Sequence, residues 1–198
     1  MANSTSKITA YLNDKALWKS LKEGNLKAFS VLFKKYYVTL YNYGLKISNN
    51  IALTEDSLQD FFVYIYEHKE NLSDLNRIAP YLFSSYRRFI IRKINKSQKI
   101  SMVRDVDASI VDINFTAEEF ITRQETTAFR NKNLTNLINQ LPKRQKEVIY
   151  LKFHCNLTPK EIAETMNINY QSVVNTLHKA IKNLREEKTV NQLLSSWV

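Results

Sequence analysis

Hydrophobic residues in the first half of the chain recur at intervals of three and four positions, which is the spacing of side chains along one face of a helix. The clearest example lies between Leu26 and about Ile47, where the apolar positions form a wide stripe that suits burial against other helices. The predicted elements are, in order, a helix over residues 14–23 with Asp14 as its N-cap, a helix over 26–47, a helix capped by Thr54, a loop over 71–78, and a helix from Pro80 to about Asn95.

The hydrophobic spacing weakens over residues 98–127. Residues 105–125 contain six acids and one base, Arg123. A long stretch without regular structure is unusual inside a compact domain, so it indicates a boundary between two domains. We therefore predict an all-α protein of two small helical domains, over residues 10–97 and 128–198, joined by a flexible acidic linker.

The second domain contains the sharpest local signal of the chain, at Thr158, Pro159 and Glu161. Thr at the N-cap, Pro at the first helical position and Glu at the third form a capping box. The box predicts a short helix that ends before a turn at residues 167–169, followed by a last helix over 170–187. Two helices joined by so short a turn form a helix-turn-helix.

The last helix is expected to present polar groups to solvent, followed by cations. Short or fork-shaped polar groups suit base edges and cations suit phosphates, so this face indicates DNA binding. Asn167 stands in the turn, where a left-handed backbone is often needed. An ordinary helical hairpin is the alternative interpretation. The residues of the face are Gln171, Ser172, Asn175, His178, Lys179 and Lys182.

The composition favours a polyanionic partner, nucleic acid first and an anionic membrane second, with the alternative that a basic protein binds nothing anionic. The chain of 198 residues carries a formal net charge of +10 and has a pI near 9.6, an excess that suits polyanions. Two glycines and three prolines disfavour a turn-rich β fold and leave no Gly-rich phosphate loop. One cysteine, Cys155, excludes an internal disulfide. Neither a signal-peptide core nor a membrane-spanning run occurs, so we expect a cytoplasmic protein without membrane insertion.

The segment from Leu75 to Arg104 contains eight bases and no acid, with aromatic residues between them. Cations along a helix face beside aromatic rings suit single-stranded nucleic acid, because bases stack on rings while phosphates follow the cations. The alternative is that Phe83 and Phe89 belong to the core and the bases form a solvated face. As a set, the bases are expected to bind phosphates, since no acid in the segment neutralises them.

Four stretches of the chain resemble the extracytoplasmic-function (ECF) class of bacterial RNA polymerase sigma factors, in the order that this family has them. Residues 26–37, LKAFSVLFKKYY, resemble its first conserved region, and residues 54–62, TEDSLQDFF, resemble its core-binding helix. Residues 141–149, LPKRQKEVI, resemble the start of its second domain, and residues 161–180 resemble its helix-turn-helix. The resemblance as a whole covers about residues 14–96 and 128–187, which is most of the chain.

The resemblance implies a protein that directs RNA polymerase to specific promoters and starts transcription by recognising the −35 element and melting the −10 element. It implies no enzymatic activity, no cofactor and no small-molecule substrate. The partners that it implies are core RNA polymerase, through the β′ clamp helices and the β flap, together with promoter DNA and an anti-sigma factor.

The resemblance also assigns roles to individual residues. Core polymerase binding falls to Asp56, Gln59 and Asp60, whose acidic side chains suit a basic partner surface. Capture of the melted −10 strand, where a pocket and phosphate contacts offset the energy of extruding a base, falls to Asn76, Arg77, Tyr81, Arg87, Arg88 and Arg92. Recognition of the −35 element in the major groove falls to Gln171, Ser172, Val174, Asn175, His178 and Lys179.

Four positions depart from the family pattern. Val174 and Thr176 stand where the family usually has a base, Gln171 replaces a usual glycine, and Arg88 stands where asparagine is common. Base-specific contacts are therefore expected to come from the neighbouring polar residues of the last helix. Val174 itself suits contact with a thymine methyl group.

Other functions fit part of the sequence. A helix-turn-helix transcriptional regulator that acts without being a polymerase subunit would explain the C-terminal half, but not the acid-free basic segment or the acidic residues Asp56 and Asp60. An enzyme would need a catalytic motif, and neither metal-ligand spacing of His and Cys nor a nucleophile elbow occurs. A structural interaction protein is a further alternative.

Overall fold

A computed structural model of the chain describes residues 14–97, 111–116 and 128–186. Within these residues the protein has eight α-helices, one 3-10 helix and no strand, which confirms the predicted all-α class. The 3-10 helix spans Lys69–Asn71. The α-helices are α1 (residues 14–22), α2 (Leu26–Ser48), α3 (Ile51–Glu67), α4 (Ile78–Ser97), α5 (Ala128–Gln140), α6 (Lys143–Phe153), α7 (Pro159–Met166) and α8 (Tyr170–Glu186).

The chain divides into two compact units. The first contains the described residues 14–97. The second contains 111–116 and nearly all of 128–186. Each unit has buried apolar residues of its own.

The first unit is built around α2, which packs against both α3 and α4. The apolar stripe of α2 supplies Leu32 and Leu40 to the core, where both are fully buried. Phe61 of α3 places its ring 5.3 Å from that of Tyr86 on α4. A Cβ at position 44 would collide with the side chain of Tyr86, so Gly44 is what allows α4 to approach α2 so closely.

The predicted start of α3 is wrong. The helix begins at Ile51, because Asn50 caps it by accepting a hydrogen bond from the backbone N–H of Leu53 at 2.9 Å. Thr54, the predicted cap, is buried inside the helix, and its hydroxyl donates to the carbonyl of Asn50 at 2.7 Å. The chain therefore uses the earlier of two possible capping residues.

Asp14 does not occupy the predicted capping position, because the chain is already helical there. Its buried carboxylate instead accepts hydrogen bonds from Lys35 Nζ and Tyr36 Oη of α2, each at 2.5 Å. A buried carboxylate needs such partners. The acid therefore joins α1 to α2.

In the second unit, α6 packs against α8. Val148 and Leu151 of α6 are fully buried, as are Ile162 of α7 and both Val173 and Ala180 of α8. Six consecutive residues of α6, Lys146–Leu151, are buried. The buried residues of α8 instead recur at helical spacing, so α8 buries one face and leaves the other to solvent. The polar face of α8 is thereby directed outward.

Part of the predicted linker, residues 111–116, belongs to the second unit. Asn139 of α5 accepts a hydrogen bond from the backbone N–H of Phe115 at 2.8 Å and donates one to its carbonyl at 3.0 Å. The prediction of a flexible linker is therefore wrong for these residues, which we call the anchored segment, and the rest of the predicted linker lies outside the described residues. The buried side chains of the anchored segment are Val111, Ile113 and Phe115.

An ion pair also holds the anchored segment. Asp112 lies 2.6 Å from Lys146 and 3.5 Å from Lys143, both on α6. The hydrogen bond from Lys146, together with its charge, holds the pKa of Asp112 below the ordinary value. Composition does not reveal this role, because an acid in a stretch without helical periodicity can be solvated or can pair with a distant lysine.

Candidate nucleic-acid interface

The helix-turn-helix begins with the predicted capping box. Glu161 Oε2 accepts hydrogen bonds from the backbone N–H and the hydroxyl of Thr158, each at 2.7 Å. The same hydroxyl accepts a hydrogen bond from the backbone N–H of Glu161 at 3.4 Å. These bonds fix the start of α7, because they satisfy groups that a helix N-terminus leaves unpaired.

Two asparagines shape the turn between α7 and α8. Asn167 has a φ of 53°, the left-handed conformation expected at this position, which Asn tolerates better than most residues. Asn169 caps α8, because its Oδ1 accepts a hydrogen bond from the backbone N–H of Ser172 at 2.6 Å. The two residues together set the direction in which α8 leaves the turn.

The outward face of α8 carries the residues predicted to read the −35 element. Gln171 Nε2 donates a hydrogen bond to Asn175 Oδ1 at 2.9 Å, so these two side chains form a pair along the helix. The pair leaves the oxygen of Gln171 and the amino group of Asn175 for other partners. Of the predicted residues, Gln171, Asn175, His178 and Lys179 are exposed, while Ser172 and Val174 are half-buried.

The arginines of α4 fall on different sides of the helix. Arg88 and Arg92 are exposed, and their spacing of four residues places them on one face. Arg87 is 4% exposed, since neighbouring residues of a helix point about 100° apart. The prediction that Arg87 contacts the −10 strand does not fit this burial. The candidate phosphate-binding face of α4 therefore consists of Arg88 and Arg92.

The aromatic residues of α4 are divided between the core and the surface. Phe83 is buried, as the core interpretation expects, and Tyr86 is buried as well. Phe89, the other residue of that interpretation, is half-buried. Tyr81 is half-buried, and its ring meets that of Trp18 of α1 edge to face, with 5.4 Å between the centroids. Burial raises the pKa of Tyr81, so its hydroxyl remains protonated at neutral pH.

The loop over residues 72–77 leads into α4 and carries two of the predicted −10 residues. Asn76 is exposed and Arg77 is half-buried. The side-chain oxygen of Asn76 accepts a hydrogen bond from Lys15 Nζ of α1 at 3.3 Å. The loop thus lies beside α1, a relationship that the spacing of residues along the chain does not reveal.

Two more residues of α1 contact this loop. Trp18 Nε1 donates a hydrogen bond to the carbonyl of Ser73 at 3.1 Å, and Lys22 Nζ lies 2.5 Å from a carboxylate oxygen of Asp74. The loop and α1 also border an open groove of about 470 Å³, lined by Lys15, Ala16, Trp18, Lys19, Asp74 and Leu75.

The exposed face of α3 carries the residues predicted to bind core polymerase, Asp56, Gln59 and Asp60. Lys93 of α4 contacts both carboxylates, with Nζ 2.5 Å from Asp56 and 2.6 Å from Asp60. The expectation that no acid neutralises the bases of the acid-free segment is therefore wrong for Lys93. The acids that neutralise it come from a neighbouring helix and not from the segment itself.

Sequence reasoning missed two residues on the same face of α3. Val63 is 53% exposed and Tyr64 is 46% exposed. They follow Asp60 by three and four positions, so they lie on the next turn of the same face. The Tyr64 ring is stacked on His68, with 4.1 Å between the centroids. Helical spacing counted from Asp60 would have identified both residues.

Two observations on the described residues concern metal-binding and thiol chemistry. Within residues 14–97, 111–116 and 128–186, no three His, Cys, Asp or Glu side chains are grouped to hold a metal ion. Burial raises the pKa of the Cys155 thiol, which disfavours the reactive thiolate. In the same parts of the chain, no helix has the length and apolar character needed to cross a membrane.

Comparison with known proteins gives consistent matches. Residues 131–184, which include the helix-turn-helix, match the family "Sigma-70, region 4". The ECF RNA polymerase sigma factor SigL of Mycobacterium tuberculosis is 24% identical over 155 residues, covering 78% of this chain and 85% of SigL. The ECF RNA polymerase sigma factor SigM of Bacillus subtilis is 24% identical over 158 residues, covering 78% of this chain and 91% of SigM.

Solved structures share the fold. CnrH, determined in complex with the cytosolic domain of CnrY, has a TM-score of 0.60 and 15% identity, covering 90% of this chain and 99% of that chain. The sigma factor RpoE, determined in complex with the anti-sigma factor NepR from Bartonella quintana, has a TM-score of 0.58 and 16% identity. The match covers 84% of this chain and 99% of that chain.

The second unit contains a helix-turn-helix with an outward polar face on α8, and the first unit has exposed arginines on α4, an arrangement typical of a DNA-binding protein. The family match and the relatives specify the class further. These matches support a sigma factor of the ECF class, as the resemblance implies, over a regulator that acts apart from polymerase. Sigma factors are in general not enzymes.

Proposed function

We propose that this sigma factor binds promoter DNA in two forms, the −35 element as an intact duplex and the −10 element as a melted strand. The arrangement of α8 carries the proposal. Its buried face is fixed against α6, and its opposite face presents Gln171, Asn175 and His178 to solvent. A helix held in this way can enter a major groove with its polar side chains directed at base edges.

Side-chain chemistry supports duplex reading by α8. Asn and Gln amides suit the N6 and N7 edge of adenine, and an apolar side chain suits a thymine methyl group. The hydrogen-bonded pair of Gln171 and Asn175 would therefore read bases together, beside Val174. Lys179 is exposed further along the helix and would bind a phosphate. Ser172 is half-buried, so its short hydroxyl side chain would contact only DNA groups that lie close to the helix.

The first unit would hold the melted strand. Arg88 and Arg92 form the exposed cationic face of α4 and would follow the phosphates of a single strand. Asn76, Arg77 and Tyr81 lie at the start of the same helix and in the loop before it, where they would surround an extruded base. Arg87 is buried, so its contribution to this surface would be to pack α4 and not to touch DNA.

Core polymerase would bind the exposed face of α3. The carboxylates of Asp56 and Asp60 suit a basic partner surface such as the β′ clamp helices, with Gln59 between them. Val63 and Tyr64 extend this face with apolar and aromatic area, which is typical of the centre of a protein interface. The second unit would contact the β flap.

The remaining features of the proposal follow from the class. Both solved structures of similar fold contain a protein bound to the sigma factor or to CnrH, which supports an anti-sigma factor as a partner of this chain. We infer that the protein acts in the cytoplasm and has no catalytic activity of its own. We also propose that residues 10–97 and 128–198 are the two functional domains, the second of them together with the anchored segment.

Run-off transcription with purified core polymerase on a library of promoter fragments tests the proposal. We expect specific transcripts when the chain is added and none without it. Fragments should be enriched in two conserved elements at a fixed spacing. If the chain binds duplex promoter DNA alone but never associates with core polymerase, the proposal is wrong and the protein is a regulator of a different kind.

A further inference from the structure

No contact with DNA or polymerase has been assigned to α1, the first helix of the structure. Three of its residues nevertheless contact the loop of residues 72–77. We propose that α1 is a positioning element for promoter melting, in which Trp18 and Lys22 hold this loop in the conformation that captures an extruded −10 base. The inference rests on the proposed function of α4 and the loop. The contacts are Lys15 to Asn76, Trp18 to Ser73 and Lys22 to Asp74.

Trp18 joins the loop to α4. The residue is 2% exposed, and a buried indole N–H needs an acceptor, which the backbone carbonyl of Ser73 provides. The indole ring itself packs edge to face against the ring of Tyr81 on α4. One side chain therefore fixes the loop backbone and the first turns of α4 relative to each other.

Lys22 acts on the one acid of the loop. The side chain of Asp74 is 87% exposed, whereas that of Lys22 is 23% exposed. The hydrogen bond and charge of Lys22 lower the pKa of Asp74, so the carboxylate stays ionised. An unpaired carboxylate beside a bound strand would repel its phosphates. Pairing with Lys22 draws this charge toward α1 and removes the repulsion.

The contribution of this ion pair is expected to be local. Pairs between exposed groups change the free energy of unfolding very little, so Lys22 and Asp74 can be altered without loss of the fold. Trp18→Phe deletes the indole N–H group and keeps an aromatic ring, but Trp18 is 2% exposed, so the smaller ring also leaves space in the core. The charge variants therefore report the position of the loop directly, and Trp18→Phe reports it where faster amide exchange is confined to residues 72–77.

The test uses the full chain in holoenzyme and five variants. These are Trp18→Phe, Lys22→Asp, Asp74→Lys, the double variant with both charges exchanged, and Lys27→Asp as a control. Lys27 is exposed on α2 and undergoes the same change of charge on a different helix. The measurements are amide hydrogen exchange of residues 72–77, affinity for core polymerase, and permanganate reactivity of the melted region on a promoter selected by run-off transcription with the wild type.

We expect Trp18→Phe to speed exchange in the loop and to reduce strand opening by about two- to tenfold, the value of one hydrogen bond. Lys22→Asp and Asp74→Lys should each reduce opening by up to about fivefold, and the exchanged pair should recover most of this loss. Polymerase affinity should be unchanged in all variants, and Lys27→Asp should open the promoter normally.

Two results would overturn the inference. Unchanged loop exchange in Trp18→Phe would show that the indole does not hold the loop, whatever the promoter result. Faster exchange with normal strand opening in every variant would show that the position of the loop does not matter for melting. If the wild-type holoenzyme itself selects no promoter, the proposed function fails first, and the role of α1 in melting fails with it.

Discussion

Lys93 Nζ lies 2.6 Å from Asp60 Oδ2, so an ion pair joins the basic helix α4 to the acidic face of α3. The same ammonium group lies 2.5 Å from Asp56. Burial alone would lower the pKa of Lys93, but the hydrogen bonds to the two carboxylates raise it overall. At neutral pH, Lys93 is therefore charged, and both acids already have a partner within the chain.

Reversing both acids tests their contact with polymerase. Asp56→Lys with Asp60→Lys should weaken holoenzyme formation by at least about tenfold, because breaking close charge pairs across an interface typically costs 2–5 kcal/mol. Affinity for core polymerase is the measurement. Glu23→Lys with Glu70→Lys changes the charge equally at exposed positions elsewhere and should have little effect.

The ion pair with Lys93 makes a second variant necessary. Lys93→Met removes the internal partner and leaves both carboxylates for polymerase, so we expect affinity that is equal to or higher than that of the wild type. If Lys93→Met weakens binding as much as the double reversal does, the acids act by holding α3 against α4 and not by touching the partner.

Removing the exposed cations of α4 should separate docking from melting. Arg88→Ala with Arg92→Ala is expected to reduce strand opening several-fold while initial binding to duplex promoter changes little, because the −35 contacts remain. Permanganate footprinting measures the melted region, and a gel shift measures docking. Lys27→Ala with Lys34→Ala removes the same charge from the exposed surface of α2. If this control loses strand opening equally, the effect comes from the net charge of the protein and not from contacts made by Arg88 and Arg92.

A phosphate contact from α8 should appear in the salt dependence of binding. Lys179→Ala is expected to weaken binding of holoenzyme to promoter duplex at all sequences and to lower the slope of log affinity against log salt by about one unit. Lys160→Ala, at the exposed start of α7, provides a comparison within the same unit. An unaltered slope in Lys179→Ala would show that this lysine does not bind a phosphate.

The anchored segment should loosen in acid. The pKa of Asp112 is lowered by Lys146, so the pair stabilises the folded state above the ordinary carboxyl pKa of 3.8. That stabilisation is lost as the pH falls through the lower, folded-state value. Amide exchange of residues 111–116, corrected for the intrinsic pH dependence, should therefore show less protection at pH ~3 than at pH ~7 in the wild type.

Asp112→Asn provides the control for this titration. The amide keeps the size of the side chain but carries no charge at any pH, so the variant should show the lower protection at both values. Equal protection in the wild type and in Asp112→Asn at neutral pH would mean that Val111, Ile113 and Phe115 hold the segment without help from the ion pair.

Local patterns in the sequence predicted the helices and the helix-turn-helix well. Periodic apolar residues mark a buried face wherever the partner helix lies, and the capping box at Thr158 is complete within four residues. The start of α3 was less predictable, because Asn50 and Thr54 are both acceptable caps and the tertiary fold decides between them. Burial of Arg87 likewise depends on which face of α4 packs against the core.

Contacts between residues that are distant along the chain could not be predicted from the sequence. Lys93 meets Asp56 and Asp60, and Trp18 meets Ser73, across separations that no local pattern records. The anchored segment did carry a signal, since Val111, Ile113 and Phe115 alternate with polar residues. Six residues are too few for that alternation to outweigh the acidic composition around them.

Anchoring of residues 111–116 changes the reach of the protein along a promoter. Between Ser97, at the end of α4, and Val111 the chain has 13 residues, and a stretch of that length spans at most about 50 Å when fully extended. At 3.4 Å per base pair, this is the length of roughly 15 base pairs. Inserting or deleting a few residues here should shift the preferred separation of the two promoter elements, whereas the same change within the anchored segment would instead disturb the packing of the −35 reader.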